Sequence, residues 1–291
     1  MKKWDKTDSK YWEENLRPPW RPSVGDIKNY KKGIQTLKKP IKNILILGAT
    51  PELRSLAAVS GAKVWVADRS LRMLKEMGRL MLSKNSVNEK YWVGDWCDFK
   101  NPDKVCFDVI LGDLVLRLIA PWKRRVFLKK ISGLLKPGGL FITRIHFVNE
   151  ALVKFSPEEI IDSGFSLLDP KIPGRGTYVK NLLISRVLDK NYLLKSAEKI
   201  RMKSRADIKR YLAAKPHISS NRKTILRGVL NRLTAKRLAT FFPQTKEEIG
   251  GNLKLFFEIK DKLTARDYKD TEFFPVYILQ SKNKQSQNKT L

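Results

Sequence analysis

The residues best suited to chemistry are one glycine and three acids, each closing an apolar run: Gly48 after Ile44–Leu47, Asp68 after KVWVA, Asp95 in YWVGD and Asp113 in FDVILGD. A glycine turn between a strand and a helix, with an acid about twenty residues further on, is a way to grip a nucleoside. The turn admits a ligand close to the backbone, and the acid accepts the ribose hydroxyls. Turns that hold a pyrophosphate carry two or three glycines, whereas Ala49, Thr50, Pro51 and Glu52 follow Gly48 here. These side chains crowd the phosphate space and Glu52 adds a negative charge, so the pair Gly48 and Asp68 predicts a nucleoside without phosphate and disfavours a nicotinamide dinucleotide. The turn is specified by other means: Thr50 suits a helix N-cap, Pro51 the first helical position and Glu52 the first turn.

A second group lies further along. Arg144 and His146 are two apart in an apolar run and so point to one face of a strand. A histidine there can take a proton from a nucleophile, because its ordinary pKa is about 6.5. Asp113 either faces the ligand or caps the next helix. Cys97 and Cys106 lack the spacing of a zinc site or a disulfide framework and predict buried free thiols.

The elements that must position these residues follow from the apolar pattern. Runs such as ILIL, VWVA and VILG are continuously apolar, as strands buried on both faces are. They alternate with helical patterns (PELRSLAAVSG, SLRMLKEMGRLML, KRRVFLKKISGLLKPGG), which predicts a doubly wound, mostly parallel α/β sheet over residues 42–148. Residues 1–41 read as an aromatic, proline-rich arm and a helix at Val24–Leu37 capped by Ser23. Residues 149–254 read as a basic helical insertion or lid, 255–280 as two strands completing the sheet, and 281–291 as a disordered tail.

At this point the chain resembles the class I S-adenosylmethionine-dependent methyltransferases. The resemblance rests on five ordered segments: LILGATPEL, VWVADRS, VGDWCDF, FDVILGD and LLKPGGLFI. Their first turn usually has an acid two residues before the glycine, where Ile46 stands here, and further glycines after it. The resemblance implies S-adenosylmethionine as cofactor, with Gly48, Ala49 and Thr50 bounding its methionine end and Asp68, with Arg69 beside it, holding the ribose. It implies Asp95 and Trp96 around the adenine, and Asp113 beside the reacting sulfonium. Glu52 either orders the ammonium of the methionine end or only complements the helix dipole. Trp20, Arg21 and Arg144 are candidate substrate-binding residues, the two arm residues being able to close over the cofactor carboxylate. Asp113 and His146 are the candidate catalytic residues.

The charge is extreme: 59 Lys and Arg against 29 Asp and Glu, a net +30. Fourteen of the basic residues fall in Lys195–Arg237, which contains only Glu198 and Asp207 as acids. Such a balance is the footprint of polyanion binders, so the expected acceptor is RNA or a small metabolite. The start lacks the apolar core of a secretory signal and no run is apolar enough to cross a membrane, which predicts a cytoplasmic protein without a metal. The competing functional class is a non-catalytic nucleoside- or RNA-binding protein on a degenerate methyltransferase fold.

Overall fold

A computed structural model describes residues 7–82, 89–98, 101, 104–147, 154–166, 179–180, 183, 197–234 and 244–282. The chain divides into two units: Met1–Glu13, Arg17–Phe147 and Thr245–Leu291 form the first, Glu14–Leu16 and Val148–Gln244 the second.

The first unit is built on a seven-stranded sheet. Its strands are β1 (Asn43–Leu47), β2 (Lys63–Asp68), β3 (Lys90–Val93), β4 (Phe107–Asp113), β5 (Leu135–Arg144), β6 (Phe257–Leu263) and β7 (Val276–Ser281), in the order β3-β2-β1-β4-β5-β7-β6. Strands β1 to β5 pair in parallel, and β7 is antiparallel to both β5 and β6. Strand order reverses between β1 and β4, and doubly wound sheets bind their ligands at the carboxyl strand ends of such a switch point. The continuous apolar runs have the predicted cause, because alternate residues of each strand feed two separate cores. Leu45, Leu47, Trp65, Ile110 and Phe141 pack with Phe127, Leu128, Ile131, Ile249 and Leu253 on one face. Ile44, Ile46, Val64, Val66, Leu111 and Ile142 pack with Tyr30, Leu53, Leu74 and Met77 on the other.

The helices of this unit are α1 (Thr7–Asn15, whose last residues fall in the second unit), α2 (Val24–Gln35), α3 (Pro51–Ala58), α4 (Leu71–Gly78) and α5 (Pro121–Leu134). Helix α2 is more than an arm. Ser23 caps it in a reciprocal capping box with Asp26, and Asp26, Asn29, Tyr30 and Gly33 form its buried stripe. A Cβ at Gly33 would come within 3.0 Å of Ile142 and Ile278, so the missing side chain lets α2 lie close against β5 and β7. Asp267, in the segment between β6 and β7, accepts from Ser23 Oγ at 2.7 Å and from the Gly25 N–H at 2.8 Å, fixing the start of α2.

The second unit has its own apolar core. Helices α6 (Pro157–Ser166), α7 (Ala197–Ala214) and α8 (Ser220–Thr234) bury Ile160, Ile161, Phe165, Ile208, Tyr211, Leu226, Val229 and Leu233 together. The expected insertion boundary at 254 differs from the fold. Lys246–Phe256 forms α9, which packs on α5 in the first unit and passes directly into β6 at Phe257. Most of the expected tail lies outside the described residues. Among the described residues, no helix is long and apolar enough to cross a membrane.

Candidate functional site

The turn after β1 places its residues as the sequence requires of a tight strand-to-helix passage. Gly48 has φ +91°, the left-handed region that glycine reaches without strain. Pro51 opens α3, and Thr50 occupies the cap position, but the Thr50 side chain makes no capping hydrogen bond. The turn is therefore held elsewhere: the Gly48 N–H donates to Ala67 O at 2.8 Å, and Trp96 Nε1 donates to the same carbonyl at 2.8 Å. One carbonyl on β2 thus ties the first turn to the segment after β3. The Trp96 ring lies over the turn so closely that a Cβ at Gly48 would sit 3.6 Å from it.

Asp68 closes β2 beside that carbonyl. Its Oδ1 accepts the Ser70 N–H at 2.9 Å, while Ser70 Oγ caps α4 through the Met73 N–H. Burial raises the Asp68 carboxyl above its ordinary value, against the opposing pull of the Ser70 N–H and Arg69. Asp95 has the opposite balance. Burial alone would raise it, but the Cys97 N–H at 2.8 Å and an ion pair with Arg69 outweigh burial and hold it low. Gly48, Ala67, Asp68, Asp95 and Trp96 therefore form one cluster at the ends of β1, β2 and β3, with Arg69 at its solvent edge. Ala49 is buried beneath it in the apolar core.

Glu52 faces the N-terminal segment. Its Oε1 accepts from Arg21 Nε at 2.9 Å and from Trp12 Nε1 at 3.3 Å, and its buried Oε2 has no hydrogen-bond partner. Arg21, expected over a cofactor carboxylate, is thus paired to Glu52.

Asp113 and Arg144 pair at the ends of β4 and β5. Arg144 Nε donates to Asp113 Oδ1 at 2.8 Å and Nη2 to Oδ2 at 3.0 Å, while Nη1 donates to Asp26 Oδ2 at 2.6 Å. Neither Arg144 nor Asp26 is exposed. Burial pushes both carboxyls up and alone would push Arg144 down, but the two acids outweigh it and hold the guanidinium firmly charged. Tyr30 completes the network at the paired ends of β4 and β5: its hydroxyl donates to Gly112 O and accepts the Arg144 N–H, both at 2.8 Å.

His146 lies just past this network in an aromatic cluster. Its ring stacks on Phe274 at 4.5 Å and meets Trp20 edge to face at 5.4 Å. Burial, together with Arg117 and Arg144, pushes its pKa well below the ordinary value, so the imidazole is neutral at pH 7. Arg117 stacks over Trp20 at 4.7 Å, and burial pushes its guanidinium down to about 9. Arg144 and His146 do share a neighbourhood, since both meet Phe274.

Asp26, Tyr30, Arg117, Phe274 and Tyr268, whose hydroxyl donates to Asp26 Oδ1 at 3.3 Å, were absent from the sequence-based candidates. For Asp26 the Ser23-x-x-Asp26 box was a visible signal, but it spoke only of a helix start. Among the described residues, no group of three or more His, Cys, Asp or Glu could hold a metal ion.

The chain shares its architecture with the crystal structure of a putative Zn-dependent alcohol dehydrogenase from Rhodobacter sphaeroides, at 15% identity and a TM-score of 0.55, over 96% of this chain and 97% of that one. It is similarly close to the PH0226 protein from Pyrococcus horikoshii OT3, at 15% identity and a TM-score of 0.51, over 94% and 99%. The five segments singled out in the sequence fall in order on β1 to β5 of the sheet. The fold is a doubly wound, mostly parallel α/β sheet, the class that the apolar pattern predicts. A weaker likeness is to an S-adenosylmethionine-dependent methyltransferase from Clostridium acetobutylicum, at 15% identity and a TM-score of 0.49, over 89% of this chain and 91% of that one. No protein-family model and no curated protein sequence matches it.

Proposed function

We propose that the protein is an S-adenosylmethionine-dependent methyltransferase whose donor site is the cluster of Gly48, Asp68, Asp95 and Trp96. The observation that carries this reading is the double tie at Ala67 O, which brings the turn, the ribose-type acid and an aromatic plane together at the switch point. The residues fit such a donor. Asp68 is an acid at the strand end with a hydroxyl-accepting oxygen pair, Trp96 offers a face for adenine, and Glu52 Oε2 is a buried acceptor without a partner, suited to an ammonium.

When bound, the donor supplies a methyl group already activated by its sulfonium, so the protein's task is positioning and exclusion of water. Arg21 and Trp12 hold Glu52 in place for the amino-acid end. Arg144, clamped by Asp113 and Asp26, fixes the spacing of the β4 and β5 ends where an acceptor would lie. In this reading Asp113 is a positioning residue, because both its oxygens serve Arg144. His146 is neutral, the form in which an imidazole accepts a proton.

Calorimetric titration tests the donor reading. The protein should bind S-adenosylmethionine, and Asp68→Ala should weaken binding about tenfold to a hundredfold, the worth of hydrogen bonds to a charged group. Absence of binding by the unaltered protein would end the proposal. A second reading, a non-catalytic nucleoside binder, is favoured by one observation: the Trp96 ring packs directly over Gly48. Donor binding without transfer of label from the methyl-labelled donor to any fraction of a cell extract would select it.

A further inference from the structure

The positive charge of the second unit is organised. Helix α7 turns Ser204, Asp207, Ile208 and Tyr211 inward, at the i, i+3, i+4, i+7 spacing of a packed stripe, and α8 turns Leu226, Val229 and Leu233 inward. Away from that core α7 carries Lys203, Lys209 and Arg210, all exposed, with Arg205 half-buried, and α8 carries exposed Arg227, with Lys223 half-buried at the flank. Asp207 is the only acid among the described side chains of the two helices, and it is buried, pairing with Arg210 at 2.5 Å. Other cations nearby are already spoken for: Lys215 and Arg222 both bridge to Asp162 on α6.

The chemistry of this face narrows its partner. A helix that lies on a membrane needs an apolar stripe to insert, and protein interfaces are anchored by buried aromatic and aliphatic residues. The outward face offers only Met202, with Ala206 and Ala213 between the cations. Cations on flexible stems, spread along two packed helices without apolar anchors, suit a repeating anion whose contacts need no pockets. That is the phosphodiester backbone.

We propose that the outward faces of α7 and α8 bind the sugar-phosphate backbone of a nucleic acid. This surface does not depend on the donor reading and goes beyond it, since Asp68 lies in the other unit.

The test uses the full chain and labelled single-stranded RNA, duplex RNA and duplex DNA of equal length, titrated from low to high salt. Three variants separate the ideas: Lys203→Gln/Lys209→Gln/Arg227→Gln on this face, Lys28→Gln/Lys31→Gln/Lys32→Gln on the exposed side of α2 as a charge-matched control, and Asp68→Ala. The α7–α8 triple should weaken nucleic-acid binding at least tenfold. It should also lower the slope of log affinity against log salt by about 2 for a single strand, at roughly 0.7 per contact removed. Its donor affinity should be unchanged, as should nucleic-acid binding by Asp68→Ala. The arm bound most tightly names the form of nucleic acid. No binding at low salt in any arm, or an equal loss in the α2 control, would overturn the proposal, the latter by showing that net charge alone is at work. A far-ultraviolet circular dichroism melt matching the unaltered protein keeps the triple's loss interpretable.

Discussion

Arg144 and Asp113 face each other as a two-bond pair at the ends of adjacent parallel strands, and the guanidinium spends its remaining nitrogen on Asp26 from a helix 118 residues away in sequence. Removing one partner of such a buried pair strands a charge in a dry site, which typically costs about 3–5 kcal/mol. Asp113→Ala and Asp26→Ala should each lower stability by roughly that amount in denaturant titrations. The double variant Asp113→Ala/Arg144→Met should recover part of the loss. If Asp113→Ala alone is neutral, the pair does not hold the strand ends.

The environment of His146 sets a pH dependence of stability. Its folded pKa lies well below 6.5, so between the folded value and 6.5 the unfolded chain binds the proton and the folded chain does not. Stability contributed by the neutral ring is present above about pH 6.5 and is lost as pH falls, by up to about 1.4 kcal/mol per pH unit. His146→Phe keeps the stack on Phe274 and removes the titrating group. The difference in unfolding free energy between the two proteins should therefore change with pH below 6.5 and stay flat above it.

Asp68 behaves in the opposite sense. Burial raises its carboxyl above 3.8, so its proton is taken up earlier in the folded protein as the solution is acidified. Only the ionised form accepts two hydroxyls. Donor affinity should fall as pH is lowered into that raised range, and Asp68→Asn should bind weakly with no such dependence. An unaltered pH profile in Asp68→Asn would remove this carboxylate from the donor site.

Gly48 tests the turn. An alanine there meets a left-handed backbone at φ +91°, costing about 1–2 kcal/mol, and brings its Cβ to 3.6 Å from Trp96. Gly48→Ala should lower both the unfolding midpoint and donor affinity. Trp96→Phe, which loses the bond to Ala67 O but keeps a ring, should cost only about 0.5–1.5 kcal/mol.

Glu52→Gln removes the charge that Arg21 and Trp12 converge on. Amide hydrogen exchange over residues 12–21 should quicken. Unchanged protection there would show that Glu52 does not hold the N-terminal segment.

Much of this was legible in the chain, and for identifiable reasons. Strands such as Ile44–Leu47 announce themselves because a central parallel strand is buried on both faces and admits no polar residue. The placing of Gly48 and Asp68 at neighbouring strand ends was legible because parallel pairing delivers the carboxyl ends of β1 and β2 to one edge of the sheet. The surroundings of Arg144 were not. A strand-end residue can be assigned to a face by its spacing, but what fills that face is decided by distant segments, here α2 and the stretch carrying Tyr268 and Phe274. The same limit applied to Glu52, whose partners lie 31 and 40 residues earlier. It applied also to α9, whose helical pattern gave no sign of which unit would claim it.

The seating of α2 has a practical consequence. A chain trimmed to begin at Lys42, where the strand pattern starts, would keep every motif of the donor turn yet lose Asp26, Tyr30 and the cover over Ile142 and Ile278. A fragment of this half of the protein that starts later than Ser23 loses the cap of α2, and any graft of β1 to β3 onto another scaffold must bring that helix along as ballast.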